Sequence, residues 1–163
     1  AIIQPYECLK FLYKNLKDPQ IMHDLTMIET SCSNFAKKWN TRTDYQNNAD
    51  VLLKALLAYE QVLHLTESSK PAVYMHLNRD IASDNTAISA LINVIGKRIT
   101  DAQNKIIFFE LGLASIDEQV KQIITTDERF TKYRYYLQHI WRESKQRISE
   151  QTAKNATRKT KPA

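Results

Sequence analysis

Glycine and proline are scarce in this chain: it contains two glycines, Gly96 and Gly112, and four prolines among 163 residues. At the average usage of about 7%, a chain of this length would carry about eleven glycines. Tight β-hairpins and phosphate-binding loops depend on glycine because they need residues with positive φ. The scarcity argues against a β-sandwich or barrel. It also excludes a P-loop and a dinucleotide-binding fingerprint, each of which needs several clustered glycines.

Long apolar runs and cysteines are equally rare. The sequence has no stretch of about 18 apolar residues that could span a membrane and no signal-peptide pattern at its start. We therefore expect no membrane partner and a cytoplasmic location. The two cysteines, Cys8 and Cys32, are expected to be reduced and buried, because a chain this apolar needs no disulfide to stabilise its core.

The net charge of +5 is confined to one end of the sequence. Residues 1–141 contain sixteen basic and sixteen acidic side chains, whereas residues 142–163 contain seven basic and two acidic ones. After Ile148 no side chain is aromatic, and no apolar one is larger than alanine, so the end lacks a surface on which bases could stack. We predict a basic, disordered tail over residues 151–163 and no nucleic-acid partner.

Apolar residues recur every three or four positions in several segments, which is the period of an amphipathic helix. One stripe follows Asp18-Pro19, a typical helix start, and a longer one extends from Leu91 to Leu113. Connections between the stripes are short. The sequence therefore predicts an all-α, antiparallel bundle of about six helices without a sheet, with residues 1–150 forming one lobe.

The ends of the predicted helices carry specific signals. Asp84 or Asn85 should cap the long helix, Gly112 should end it in a left-handed conformation, and Ser115 with Glu118 should form a capping box. Residues 67–71 are expected to form a loop, followed by a short helix over residues 72–81. The residues predicted to be buried are Leu25, Ile28, Phe35, Leu56, Leu91, Ile95, Ile106 and Phe109.

Motifs for catalysis or metal binding are missing from the sequence. The four histidines are scattered, and neither H-E-x-x-H, E-x-x-H nor C-x-x-C occurs. Three histidines have an acid four residues away, and we expect these to be surface pairs: Glu60 with His64, His76 with Asp80, and His139 with Glu143. We assign no catalytic residue, no metal ligand and no cofactor to this chain.

An aromatic cluster near the end of the chain is the one candidate site. It consists of Tyr133, Tyr135, Tyr136 and Trp141. At 100° per residue these four side chains cannot all face one core, so some should be exposed. The cluster predicts either a contact surface for a partner or an extended ligand, or a helix that is buried between neighbours on two sides.

Several short runs resemble, in order and spacing, the N-terminal helical region of the zinc oligopeptidases of the thimet oligopeptidase and oligoendopeptidase F family. The resemblance is closer to oligoendopeptidase F, and it covers residues 6 to 150. Its most specific part is residues 105–111, followed by the pair Ile116-Asp117. The other matching runs are Phe11-Leu-Tyr13, Asp18-Pro-Gln-Ile21, Asp24-Leu25, Phe35-Ala-Lys-Lys-Trp39, Val73-Tyr74, Asp84-Asn85, Tyr135-Tyr136-Leu137 and Ile148-Ser-Glu150.

The resemblance implies a non-catalytic lobe that helps enclose a deep cleft for short, unfolded peptides. In that family the H-E-x-x-H helix and the remaining zinc ligands lie in a C-terminal catalytic half, so zinc is expected there and not on this chain. The implied partners are that catalytic half, or a second copy of the chain, and short peptides bound by the full-length enzyme. Alone, the chain should be inactive.

Two further interpretations stay open. The chain is either a fragment of a longer peptidase or a truncated product without peptidase function. The alternative to a peptidase lobe is a free-standing helical interaction module whose basic end engages an acidic partner.

Overall fold

The structure is a computed structural model that describes residues 10–80 and 82–159. No strand occurs in these ranges, so the predicted all-α fold without a sheet is confirmed for them. Seven α-helices can be delimited: α1 Pro19–Trp39, α2 Ala49–Ser68, α3 Lys70–Asn78, α4 Thr86–Asn104, α5 Ile107–Leu113, α6 Glu118–Thr126 and α7 Arg134–Lys159. Short 3₁₀ turns lie at Asp44–Gln46, Ala82–Asp84 and Glu128–Phe130.

The chain divides into two compact units. The first contains the described residues up to Arg42 together with Ala55–Phe108, and the second contains Thr43–Lys54 together with the described residues from Phe109 onward. Helices α2 and α5 therefore contribute residues to both units. Each unit has buried apolar side chains of its own.

The first unit is built on α1 and α4, which pack against each other, and on α3, which packs against α4. Helix α1 begins as predicted: Pro19 occupies its first turn, and the Asp18 carboxylate accepts the Gln20 N–H at 3.0 Å. Its buried side chains fall at the predicted three- and four-residue spacing and are Ile21, Leu25, Ile28, Cys32, Phe35 and Trp39.

A bidentate ion pair joins α1 to α4. The Arg98 guanidinium donates to both carboxylate oxygens of Glu29, with Nε–Oε1 at 2.6 Å and Nη2–Oε2 at 2.7 Å. This guanidinium holds the pKa of Glu29 below its ordinary value. Because both side chains are about one-quarter to one-third exposed, the pair fixes the register of the two helices more than it stabilises them.

Aromatic rings fill much of the first unit. The centroid of the Phe35 ring lies 5.7 Å from that of Tyr59 and 6.0 Å from that of Phe108. The buried Tyr13 hydroxyl donates to Asp24 Oδ2 at 2.8 Å, and this burial raises the pKa of Tyr13. The Cys32 thiol is buried, which raises its pKa, whereas Cys8 lies outside the described residues.

Two predictions about helix boundaries in the first unit are wrong. The expected loop over residues 67–71 is reduced to Ser69, because α2 extends to Ser68 and α3 begins at Lys70 with Pro71 in its first turn. Proline is tolerated there since its missing N–H would have no partner. The single long helix expected up to Leu113 instead breaks at Lys105 and Ile106, between α4 and α5.

The predicted helix starts have mixed outcomes. Asn85 caps α4 as expected, with its side-chain oxygen accepting the N–H groups of Ala87 and Ile88. The capping box at Ser115 does not form, because α6 begins at Glu118 with Asp117 as its N-cap. The Asp117 N–H donates instead to the Gln46 carbonyl at 2.9 Å.

Gly112 has a different role from the one predicted. It lies inside α5, and no glycine of the described residues has a positive φ, so the left-handed cap is wrong. A Cβ placed on Gly112 would collide with the Tyr45 hydroxyl. The Tyr45 ring is buried and lies 5.0 Å from the ring of Phe109, centroid to centroid. Glycine is therefore needed here because a ring approaches the helix backbone closely.

Burial agrees with the predicted core except at one position. Seven of the eight residues predicted to be buried are buried, and Leu91 on α4 is partly exposed. The second unit has a core of its own. Helices α5, α6 and α7 and the segments between them contribute the buried residues Leu113, Ile116, Val120, Ile124, Phe130, Leu137 and Ile140.

The last four turns of α7 are exposed. The sequence predicts a disordered tail over residues 151–163, whereas the structure continues the helix through Lys159, with the side chains of residues 151–158 all exposed. Residues 160–163 lie outside the described ranges. Local pairs one turn apart accompany this stretch, among them Gln146 with Glu150 at 3.2 Å and Arg147 with Glu143 at 3.6 Å.

The first prediction concerns the core. Phe109→Ala should lower the free energy of unfolding by about 3–5 kcal/mol, because a fully buried ring is replaced by a cavity. Leu111→Ala, two residues later on α5, should change it by less than about 0.5 kcal/mol because Leu111 is 61% exposed. Urea unfolding followed by circular dichroism at 222 nm measures both. Equal effects would show that the α5 core face is misassigned.

The second prediction compares the two glycines. Gly112→Ala should destabilise the protein by about 1–3 kcal/mol because its methyl group would overlap Tyr45. Gly96→Ala should stabilise it by up to about 1 kcal/mol, because alanine favours a helix interior and the nearest atom, the flexible Met75 Sδ, lies 3.3 Å from the new methyl group. Thermal unfolding of the two variants should therefore shift in opposite directions.

Candidate functional site

The structure distributes the four aromatic residues of the predicted cluster between the interior and the surface. Tyr133 is buried just before α7, and its carbonyl accepts the Leu137 N–H at 2.9 Å. Tyr136 and Trp141 are partly exposed, whereas Tyr135 is 77% exposed. The four side chains do not form one continuous surface, and only Tyr135 points fully to solvent.

Trp141 holds α7 against the end of α5. Its indole Nε1–H donates to the Leu113 carbonyl at 3.0 Å, and the Gln46 side-chain amide donates to the Gly112 carbonyl at 3.0 Å. Both acceptors are carbonyls in the last turn of α5, which have no partner inside the helix. Lys121 Nζ lies 5.2 Å from the centroid of the Trp141 ring, in reach of a cation–π interaction. Trp141 thus stabilises the packing of α7 against the end of α5.

Arg134, the first residue of α7, caps the end of α6. Its guanidinium donates to the carbonyls of Ile124 at 2.7 Å and Asp127 at 2.8 Å. A cation at this position also interacts favourably with the negative end of the α6 dipole. Its charge is therefore directed toward the protein backbone and contributes little to an outward-facing surface.

An exposed ion-pair group lies before α7. Arg129 donates to Asp127, with Nη2–Oδ2 at 2.7 Å, and to Asp50, with Nη1–Oδ1 at 2.9 Å. Hydrogen bonds from Arg129 lower the pKa of Asp127, and the same contacts raise the pKa of Arg129. Since Arg129 is about half exposed, solvent screens these charges and the group contributes little to stability.

The outer face of α7 presents an exposed ridge formed by Tyr135, His139 and Arg142, called here the α7 ridge. The spacing of four and three residues places their side chains within about 60° of one another around the helix axis. All three are exposed, whereas Leu137 and Ile140 on the opposite face are buried.

The histidines and acids considered as metal ligands are not brought together in the described part of the structure. Of the three predicted His–acid pairs, His139 and Glu143 lie side by side on the surface of α7, with Nε2–Oε1 at 3.3 Å, and form an ion pair when the imidazole is protonated. The residues that the structure describes contain no group of three or more His, Cys, Asp and Glu placed to hold a metal ion.

Sequence reasoning missed the residues that organise this region, namely Gln46 and Tyr45. Gln46 contacts Gly112 across 66 positions of sequence, and no local pattern links them. The one available signal was Gly112 itself, since a glycine in a helical stripe often marks a close approach to its backbone.

Comparison with known protein families, with curated proteins and with solved structures finds no match to this chain. Within residues 10–80 and 82–159, none of the helices is both long enough and apolar enough to cross a lipid bilayer. Any assignment of function therefore depends on the residues themselves and on their geometry.

The third prediction separates structural from exposed aromatic residues. Trp141→Phe should lower the free energy of unfolding by about 1–3 kcal/mol, because it leaves the Leu113 carbonyl without its donor. Tyr135→Phe on the exposed face should change it by less than about 0.5 kcal/mol. Urea unfolding of both variants provides the measurement. A neutral Trp141→Phe result would mean that the indole bond does not anchor α7.

Proposed function

We propose that this chain is the non-catalytic N-terminal helical lobe of an oligoendopeptidase F-like zinc metallopeptidase. In this proposal the lobe forms part of the wall of a cleft for short, unfolded peptides. The zinc ion and the residues that activate water belong to a catalytic half outside this chain. That half is the main partner, with a second copy of the chain as the other candidate, and the enzyme is cytoplasmic.

The observation that carries the proposal is the position of the most specific matching run, residues 105–111. This run spans the break between α4 and α5, where the neighbouring rings Phe108 and Phe109 point into separate environments. Phe108 contacts Phe35 in the first unit, and Phe109 contacts Tyr45 in the second. A run that contains a helix break, the buried ring of Phe109 and the partly buried ring of Phe108 is constrained by the fold, so the likeness supports a shared architecture.

The weaker matching runs also coincide with positions that determine the fold. Asp18 caps α1, and Asn85 caps α4. Asp24 accepts the Tyr13 hydroxyl, and Trp39 is buried at the end of α1. Because these runs occupy caps and core positions in the same chain order as in the family, they support the lobe assignment together more than any of them does alone.

The lobe would contribute to hydrolysis by restricting access. A wall of helices around a cleft admits extended peptides and excludes folded proteins, whose backbone cannot reach the reacting centre. In this proposal the general base and the zinc ligands lie in the catalytic half, so the contribution of this chain is confined to binding and orienting peptides. Zinc in the catalytic half would activate the attacking water.

The fourth prediction tests this proposal on the complete gene product. Its coding sequence should continue beyond residue 163 into an H-E-x-x-H segment. The complete protein should bind one zinc ion and cleave fluorogenic peptides of about eight residues, and a chelator should abolish that cleavage. A folded protein offered at the same concentration should stay intact. The chain of residues 1–163 alone should neither retain zinc after dialysis nor cleave the peptide. Substituting the glutamate of H-E-x-x-H by glutamine serves as the inactive control.

A complete gene product without a zinc motif and without peptidase activity would contradict the proposal. The alternative is then a free-standing helical interaction module. The observation that favours this alternative is the exposed, basic last part of α7, from Arg142 to Arg158. Under the lobe proposal, deleting residues 154–163 should leave folding and association unchanged, whereas loss of a binding activity on that deletion would favour the module.

A further inference from the structure

We propose that the α7 ridge, formed by Tyr135, His139 and Arg142, is a contact surface for substrate peptides and favours peptides with acidic side chains. This inference rests on the proposed function and names the substrate class that the lobe would select.

Tyr135 is the one residue of the aromatic cluster whose side chain is fully exposed and packs against no part of the core. Within the described residues its side chain forms no hydrogen bond or ring contact, and it lies opposite the buried side chains of Leu137 and Ile140. Trp141 and Tyr133, by contrast, are engaged with neighbouring groups. An exposed tyrosine suits peptide contact, because its ring is large and amphipathic and loses little conformational entropy on binding.

Positive charge lies on α7 two to three turns beyond Tyr135 and has no ion-pair partner within the described residues. Arg142 and Lys145 are exposed and form no ion pair within the described residues. The nearest acid on α7 is Glu143, which is already shared between His139 at 3.3 Å and Arg147 at 3.6 Å. An acidic side chain of a bound peptide would therefore meet cations that have no competing carboxylate of their own.

A peptide suits this surface better than a nucleic acid does. Single-stranded nucleic acids need several stacking rings along a basic groove, and the α7 ridge offers one. The more basic last part of α7 has no aromatic side chain at all. A short acidic peptide needs only one aromatic contact and one or two cations, which is what the ridge provides.

The fifth prediction concerns two fluorogenic peptides that differ only in having Glu or Lys at one position away from the cleaved bond. The complete enzyme should cleave the Glu peptide with a kcat/KM about three- to tenfold higher at low salt, mainly through a lower KM. The ratio should fall toward one in 0.5 M NaCl because salt screens exposed charges. Arg142→Glu should abolish or reverse the preference, and Tyr135→Ala should raise KM for both peptides.

Arg158→Glu is the matched control, because it makes the same charge change on the same helix about four turns away from the ridge. It should keep the wild-type preference, and circular dichroism should show that all variants are folded. Equal cleavage of both peptides by the wild type, or a loss of preference with Arg158→Glu equal to that with Arg142→Glu, would overturn the inference and leave the proposed function standing. Absence of any zinc-dependent cleavage would overturn both.

Binding provides a second readout that does not depend on cleavage. A fluorescein-labelled acidic peptide should bind the chain of residues 1–163 with an anisotropy change that Arg142→Glu reduces and Arg158→Glu does not. Tighter binding of a DNA duplex, with displacement of the peptide, would identify a phosphate backbone as the occupant and overturn the inference.

Discussion

The close approach of Tyr45 to Gly112 is the constraint on which the second unit depends. The tyrosine ring occupies the space that any side chain at position 112 would need, and it contacts the ring of Phe109 one turn earlier. The adjacent Gln46 then reaches the Gly112 carbonyl with its side chain, while its own carbonyl accepts the Asp117 N–H. One turn of chain between α1 and α2 thus fixes the end of α5 and the entry to α6.

The same end of α5 also sets the orientation of α7. Trp141 donates to the Leu113 carbonyl, next to the one that Gln46 satisfies. Arg134 fixes the start of α7 on the carbonyls at the end of α6. With both positions held, the rotation of α7 about its axis is set, so Leu137 faces the core and Tyr135 faces solvent. At the end of α5, side chains from distant residues take the place of the glycine cap that the sequence suggested.

Because some residues of the aromatic cluster stabilise the fold, fewer of them are available to bind a partner. Of the four aromatic residues, Tyr133 and Trp141 stabilise the fold and Tyr136 is only partly exposed, so Tyr135 is the one side chain that is fully available for recognition. The proposed peptide contact is accordingly a small ridge with one ring and one or two cations, and not an extended aromatic groove. Such a surface can bias the choice among peptides, while chemistry would remain with the catalytic half of the proposed enzyme.

The sequence alone determined the helical class, the starts of α1 and α4, and most of the core. Periodic apolar residues and the caps Asp18 and Asn85 act within one or two turns, so local physics suffices to place them. Tertiary structure alone decided the break between α4 and α5, the role of Gly112 and the fate of Trp141. These depend on contacts such as that between Gln46 and Gly112, which are far apart in sequence. The local sequence around a residue does not determine which distant ring or carbonyl it will contact, because such contacts depend on how the helices pack.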